Sequence, residues 1–240
     1  MVRPPHFPYP PFPPYTQLTP PLPLPAPNVD GIFIPSPPAQ LLSLGLVDRS
    51  VKVIVAHNLD EGLLFTDPRI SQTDNSEFIS YLSGFMPSLP ASKITHLATV
   101  VYPPDFSGAQ PYTTQIGRTK LAVAEAFMDC VAFGVHGAYR NQSRGYQFSY
   151  FPGMHAQDLE YTFFNGQEAN GLGVPVLPAV AAVMQRWFVD FIVGGTGNSY
   201  TQIPVYTAQA NMVNITGTGY PVVRDPAANK RCRYWLEGLS

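Results

Sequence analysis

The chain is 240 residues long, 45% hydrophobic and only 12% charged, with a formal net charge of -2. That length can bury a self-sufficient core as one large domain or two small ones. It carries no basic field to gather phosphates, which excludes a nucleic-acid partner, and its low charge density suits an uncharged substrate.

In chain order, residues 1–27 stand apart. Twelve of them are proline, interleaved with Phe7, Tyr9, Phe12 and Tyr15. Proline at that density removes backbone donors and fixes φ, which predicts a disordered or polyproline II tail. A PxxP ligand for an SH3-like groove is the alternative to a passive tail there. The start of the chain lacks the charged, apolar and small-residue regions of a signal peptide. No uninterrupted apolar run reaches the roughly 20 residues that cross a bilayer, so no transmembrane segment is expected.

Folded sequence is expected from residue 28 to residue 240. Asp30-Gly31 is a turn signal, followed by Ile32-Phe33-Ile34-Pro35 as a short extended piece. Pro37 to Gly45 reads as a short helix, with proline inside its start and glycine past its end. Val51-Lys52-Val53-Ile54-Val55-Ala56 is β-branched and nearly continuously apolar, the pattern of a central parallel strand. It leads into His57-Asn58-Leu59-Asp60-Glu61-Gly62. Residues 76–101 read as short helices and loops, broken at Gly84-Phe85-Met86-Pro87 and at Pro90. From Thr119 to Tyr139, Leu121, Ala124, Phe127, Met128, Val131 and Val135 recur at three- and four-residue steps. That predicts an amphipathic helix carrying Cys130, with Glu125 and Asp129 on its solvated face.

Tyr146, Phe148 and Tyr150 then alternate with shorter polar residues, predicting a strand with one buried face. Pro152-Gly153 stops it, because proline cannot donate to a ladder and glycine permits a sharp turn. His155 is thereby expected on a loop at the carboxyl end of a strand, where open α/β sheets gather reactive groups. Pro178 to Val193 is expected to be a helix burying Met184, Trp187, Phe188 and Phe191, and Gly194-Gly195-Thr196-Gly197-Asn198 ends it.

Cys130 and Cys232 are the 2 cysteines, and neither sits in a CxxC, so zinc and dithiol redox chemistry have no support. They are either a disulfide closing a long loop or two buried thiols. Asn141-Gln142-Ser143 and Asn214-Ile215-Thr216 fit the glycosylation sequon, which matters only in a secreted chain. The 5 histidines show no metal-ligand spacing, and no cofactor is expected.

Glu61 and His155 both stand just past the carboxyl ends of apolar strands. Such an acid can accept from one ring nitrogen, fix the tautomer and stabilise the imidazolium, which makes the two residues candidates for two-thirds of a hydrolase triad. The bland alternative for His155 is a loop histidine bonded to a carbonyl. His57 adjoins the acid loop, but four residues of shared loop hinder its reach to Glu61. His136 is expected to be packed or on the surface, His96 has no partner motif, and His6 lies in the tail. Asp158 is expected to brace the histidine loop.

Asp60-Glu61-Gly62 after a strand resembles the acid loop of the type-B carboxylesterase/lipase family, which includes cholinesterases and many fungal lipases. His155-Ala156-Gln157-Asp158-Leu159-Glu160-Tyr161-Thr162-Phe163 resembles its histidine loop, with Ala156 where glycine or serine is common. Val29 to Pro35, Phe188 to Asn198, and the two cysteines match further pieces in order. The resemblance implies the carboxyl-terminal part of an α/β-hydrolase fold over residues 28–240. It also implies Glu61 as triad acid, His155 as base, and a Cys130–Cys232 disulfide tying down the last helix. A carboxylic ester or lipid is the implied substrate, and a secreted, glycosylated protein the implied parent.

Two parts of such a hydrolase are missing from these residues: the Gly-x-Ser-x-Gly nucleophile elbow and a glycine-rich oxyanion loop. The expectation is therefore a truncated fragment, incomplete as a catalyst and unstable without an amino-terminal half. The alternatives are a catalytically dead esterase-like binding or adhesion module and a product with no independent role.

Overall fold

The computed structural model describes residues 29–70, 74–166, 174–194 and 202–237. The expected proline-rich tail and the glycine cluster from 195 onward lie outside the described residues. Four strands form one sheet in the order β1 (Val53–Asn58), β2 (Ser143–Phe148), β3 (Asn211–Ile215) and β4 (Val222–Arg224). The first three run parallel and β4 is antiparallel to β3. Parallel neighbours need long crossovers. Here the helices α2 (Asn75–Phe85), α3 (Ala91–His96), α4 (Gln115–Ala124) and α5 (Cys130–Tyr139) connect β1 to β2. The helices α6 (Gln157–Thr162) and α7 (Pro178–Ile192) connect β2 to β3, and α8 (Lys230–Glu237) follows β4.

The short helix α1 (Pro38–Ser43) ends as expected. Gly45, at φ 67, donates to Leu42 O and Leu46 donates to Leu41 O, a Schellman stop that uses glycine's freedom at positive φ. The segment before it is not extended. Asp30 Oδ1 accepts from the backbone N–H groups of Ile32, Phe33 and Ile34, winding them into a turn around one carboxylate.

β1 and β2 exchange their expected roles. β1, read as central, pairs with β2 alone among the described residues, and its first four positions are only half-buried. β2, read as having one buried face, is covered on both. Tyr146 and Phe148 pack with Met184, Trp187, Val213 and Ile215 beneath α7. On the other side, Ser143 bonds His136 Nδ1 at 3.0 Å, and Gly145 lets the His136 ring approach closely from α5. Small and polar residues line that second face, so hydrophobic alternation does not reveal it.

The helix expected over 119–139 starts earlier and is interrupted. Thr114 caps it by accepting from Gly117 N at 3.1 Å, and a π-turn over Glu125–Asp129 separates α4 from α5. The inserted residue rotates everything beyond it around the axis. Phe127 and Val131, expected inside, are exposed, whereas Glu125 and Asp129, expected in solvent, are turned inward. Glu125 accepts from both Arg231 Nε at 2.8 Å and Arg231 Nη2 at 2.7 Å, from Tyr102 OH at 2.6 Å and from Asn229 Nδ2 at 3.0 Å. A charge this buried is tolerated because it is paired and fully hydrogen-bonded. The Cys130–Cys232 disulfide fastens α8 to the same stretch. Around it Phe78, Leu82, Ile94, Leu97 and Trp235 form a second, helical core. In α7, Met184 and Trp187 are fully buried, while Phe188 and Phe191 are only partly so.

By length and composition alone, the continuous helical stretch Gln115–Gln142 could cross a membrane. Half of its most apolar window is buried, and α5 lies against β1, β2 and α8, as a core helix does.

Candidate active site

The site grows from the carboxyl ends of β1 and β2. The two chains stay in contact past the strands: Leu59 N donates to Phe148 O at 2.9 Å and, after the bend that follows β2, Asp60 N donates to Gly153 O at 2.7 Å and Asp60 faces Met154 in a parallel bridge. The next residue on each side is Glu61 and His155. His155 Nδ1 and Glu61 Oε2 are 2.6 Å apart. Glu61 is almost wholly buried, while the His155 side chain keeps 39% exposure. The edge of the His155 ring meets Phe65, with centroids 5.1 Å apart. Among the described residues, His155 Nε2 has no hydrogen-bond partner.

Each loop is held in its own way. After Glu61, a Cβ on Gly62 would lie 2.0 Å from the Lys120 carbonyl oxygen, so only glycine lets α4 approach this closely. Lys120 Nζ in turn pairs with Asp60. On the histidine side, Gly153 takes φ 69 and the Phe151–Pro152 bond is cis. Gln157, fully buried, accepts at Oε1 from the backbone N–H groups of Gly153 at 2.8 Å and Met154 at 3.2 Å. Ala156 sits at φ 66, in the left-handed region that favours glycine, which is the physical reason a glycine is at home there.

Asp158, expected to brace the histidine loop, accepts at Oδ1 from Asn58 Nδ2 at 3.1 Å and at Oδ2 from Tyr146 OH at 2.9 Å, which ties the start of α6 to both strands. Burial, and then the Asp158 charge, push the Tyr146 phenol well above its ordinary range and keep it a donor. Gln157 holds the same loop through its bonds to Gly153 and Met154. Sequence reasoning missed both Gln157 and Asn58, because a lone amide carries no pattern of its own.

His57 is not a rival base. It lies buried between two carboxylates, its Nε2 3.4 Å from Asp225 Oδ1 and its Nδ1 3.6 Å from Asp129 Oδ1. Burial alone would lower its pKa, but the hydrogen bond to Asp225 and the charges of Asp129 and Asp225 push it up to about 9. His136 is packed as expected, stacked 3.7 Å from Tyr206, and burial lowers it to about 4. His96 stacks on Tyr234.

No family model matches the chain. It is 32% identical over 211 residues to carboxylesterase patB of Aspergillus clavatus, and 30% identical over 213 residues to carboxylesterase patB of Penicillium expansum. Those alignments cover 87% and 88% of this chain but 37% of each relative, so the chain spans little more than a third of their length. An inactive carboxylesterase-like protein, VdtD of Byssochlamys spectabilis, is 34% identical over 86 residues, 35% of this chain and 14% of that one. Among solved structures, Aspergillus niger EstA superposes with a TM-score of 0.65 at 18% identity, covering 86% of this chain and 43% of that one. A PNB esterase gives 0.58 at 17% identity, covering 87% of this chain and 42% of that one. Over most of its length the chain is thus similar to the type-B, cholinesterase-like carboxylesterases, and it carries part of an α/β-hydrolase fold.

Proposed function

We propose that this chain supplies the acid and the base of a carboxylic-ester hydrolase, Glu61 and His155. The observation that carries the reading is the 2.6 Å contact between Glu61 Oε2 and His155 Nδ1 at the ends of two adjacent parallel strands. Glu61 fixes the tautomer and stabilises the imidazolium, leaving Nε2 to take a proton from a serine hydroxyl and return it to the leaving alcohol. The 240 residues contain no Gly-x-Ser-x-Gly. In this reading the nucleophile and the oxyanion donors come from further sequence, on the same or a separate polypeptide, that adds strands beside β1. The substrate is a carboxylic ester, the class for which the patB relatives are named.

A second reading, a non-catalytic esterase-like module, is favoured by the missing pentapeptide and by the likeness to a relative named inactive. Hydrolysis of a p-nitrophenyl ester separates the two. The purified chain is assayed alone and together with a segment of an esterase relative that carries Gly-x-Ser-x-Gly. Turnover that arises on mixing and disappears with His155→Ala supports the hydrolase. Silence in the mixture sinks it in favour of the second reading.

A further inference from the structure

The two oxygens of the Glu61 carboxylate do different work. Oε2 faces His155 Nδ1 at 2.6 Å. Oε1 accepts twice from one residue, from the Asn58 backbone N–H at 2.6 Å and from Asn58 Nδ2 at 3.1 Å. The same Nδ2 also reaches Asp158 Oδ1 at 3.1 Å. Asn58 is the last residue of β1 and is 4% exposed. Its other amide atom, Oδ1, is buried with no hydrogen-bond partner among the described residues. Turning the amide over would press that oxygen against two carboxylate oxygens, so the orientation is dictated by its neighbours. Leaving a buried acceptor unpaired costs about 1–3 kcal/mol.

We propose that Asn58 is the positioning residue of the Glu61–His155 pair, its amide bridging Glu61 and Asp158 so that Glu61 turns Oε2 to the histidine. The purpose rests on the hydrolase reading, whereas the geometry and its test do not. The last torsion of a glutamate is broad, so little in the side chain itself fixes which oxygen faces where. Without Nδ2, Oε1 keeps a single donor and the carboxylate is free to rotate. Asp158 keeps its bond from Tyr146, so the loss falls on Glu61.

The test is the proton spectrum of His155 Nδ1–H in the full chain labelled with 15N-histidine, the signal being assigned by its disappearance in His155→Ala. A far-downfield, slowly exchanging resonance is expected in the unmodified chain. It is expected to survive Tyr146→Phe, which removes a donor from Asp158 alone, and to vanish or broaden several-fold in Asn58→Leu. Should the leucine variant fail to fold by circular dichroism, the near-isosteric Asn58→Asp replaces it, with the same loss expected. A resonance unchanged in the folded Asn58 variant, or absent from the unmodified chain, overturns the proposal. No ester is turned over in this measurement, so a failed hydrolase reading would leave its outcome standing.

Discussion

Asp60 and Met154 face each other in a single parallel bridge past the ends of the paired strands β1 and β2. Asn58 pairs with Phe148, so in register Asp60 would face Tyr150; the bend through Phe151, Pro152 and Gly153 brings Met154 there instead, and the residues that follow, Glu61 and His155, emerge side by side although 94 positions separate them. Placement of this kind depends on the sheet and equally on the turn that brings the histidine loop back onto it.

Conservative replacement of the acid tests that geometry. Glu61→Gln keeps the shape but presents an amide to His155 Nδ1, favouring the wrong tautomer. In the complete hydrolase, kcat is expected to fall by roughly three to four orders of magnitude with KM little changed. Ester turnover by the assembled protein measures it.

Gly62→Ala asks whether the close approach of α4 is as strict as it looks. The new methyl would meet the Lys120 carbonyl oxygen at 2.0 Å and its carbonyl carbon at 2.7 Å, atoms of a helix backbone that cannot swing aside. A loss of at least about 3 kcal/mol is expected, the upper end for overpacking, read from the urea midpoint.

Stability should decline with rising pH on account of His57. Its pKa is raised from 6.5 to about 9, so the folded state binds a proton more tightly than the unfolded one. The contribution is complete below pH 6.5 and is lost as pH climbs through about 9, amounting to roughly 3 kcal/mol by linkage. Burial pushes Asp129 up to about 7, and that acts in the same sense at lower pH. His57→Gln is expected to flatten the urea midpoint between pH 6.5 and 9 and to cost stability near pH 6, since the buried Asp225 carboxylate then loses its cation.

The disulfide and the Glu125–Arg231 pair hold the same helix, and removing each should weaken it separately. Cys130 and Cys232 are 102 residues apart, and their replacement by serine is expected to cost about 2–5 kcal/mol. Arg231→Met leaves Glu125 buried with only neutral donors and should cost about 3–5 kcal/mol. Thermal melts of the single and combined variants test this. Because both tie down α8, the two losses are expected not to add.

Much of the chemistry is legible in the chain because it lies in short runs with local causes. Glu61 and Gly62 follow a β-branched strand, His155 follows a proline-glycine stop, and the Schellman glycine at 45 needs only its own helix. The α7 stripe through Met184 and Trp187 is local in the same way. What fails is whatever depends on how many sides of an element are covered. β1 looks central because it is apolar, yet among the described residues it has a single neighbour, which sets its burial. β2 looks one-sided because its second face is built from Ser143 and Gly145. The stripe through Phe127 and Val131 points outward because one inserted residue in a π-turn rotates the helix, a change that periodicity cannot register. Asn58, Gln157 and the inward-facing Glu125 belong with these. Each is a polar group whose meaning comes from partners that only the folded chain brings to it, and an unpaired polar side chain costs too much to bury without them. Local sequence therefore determined which groups could do chemistry, and tertiary structure decided which of them meet.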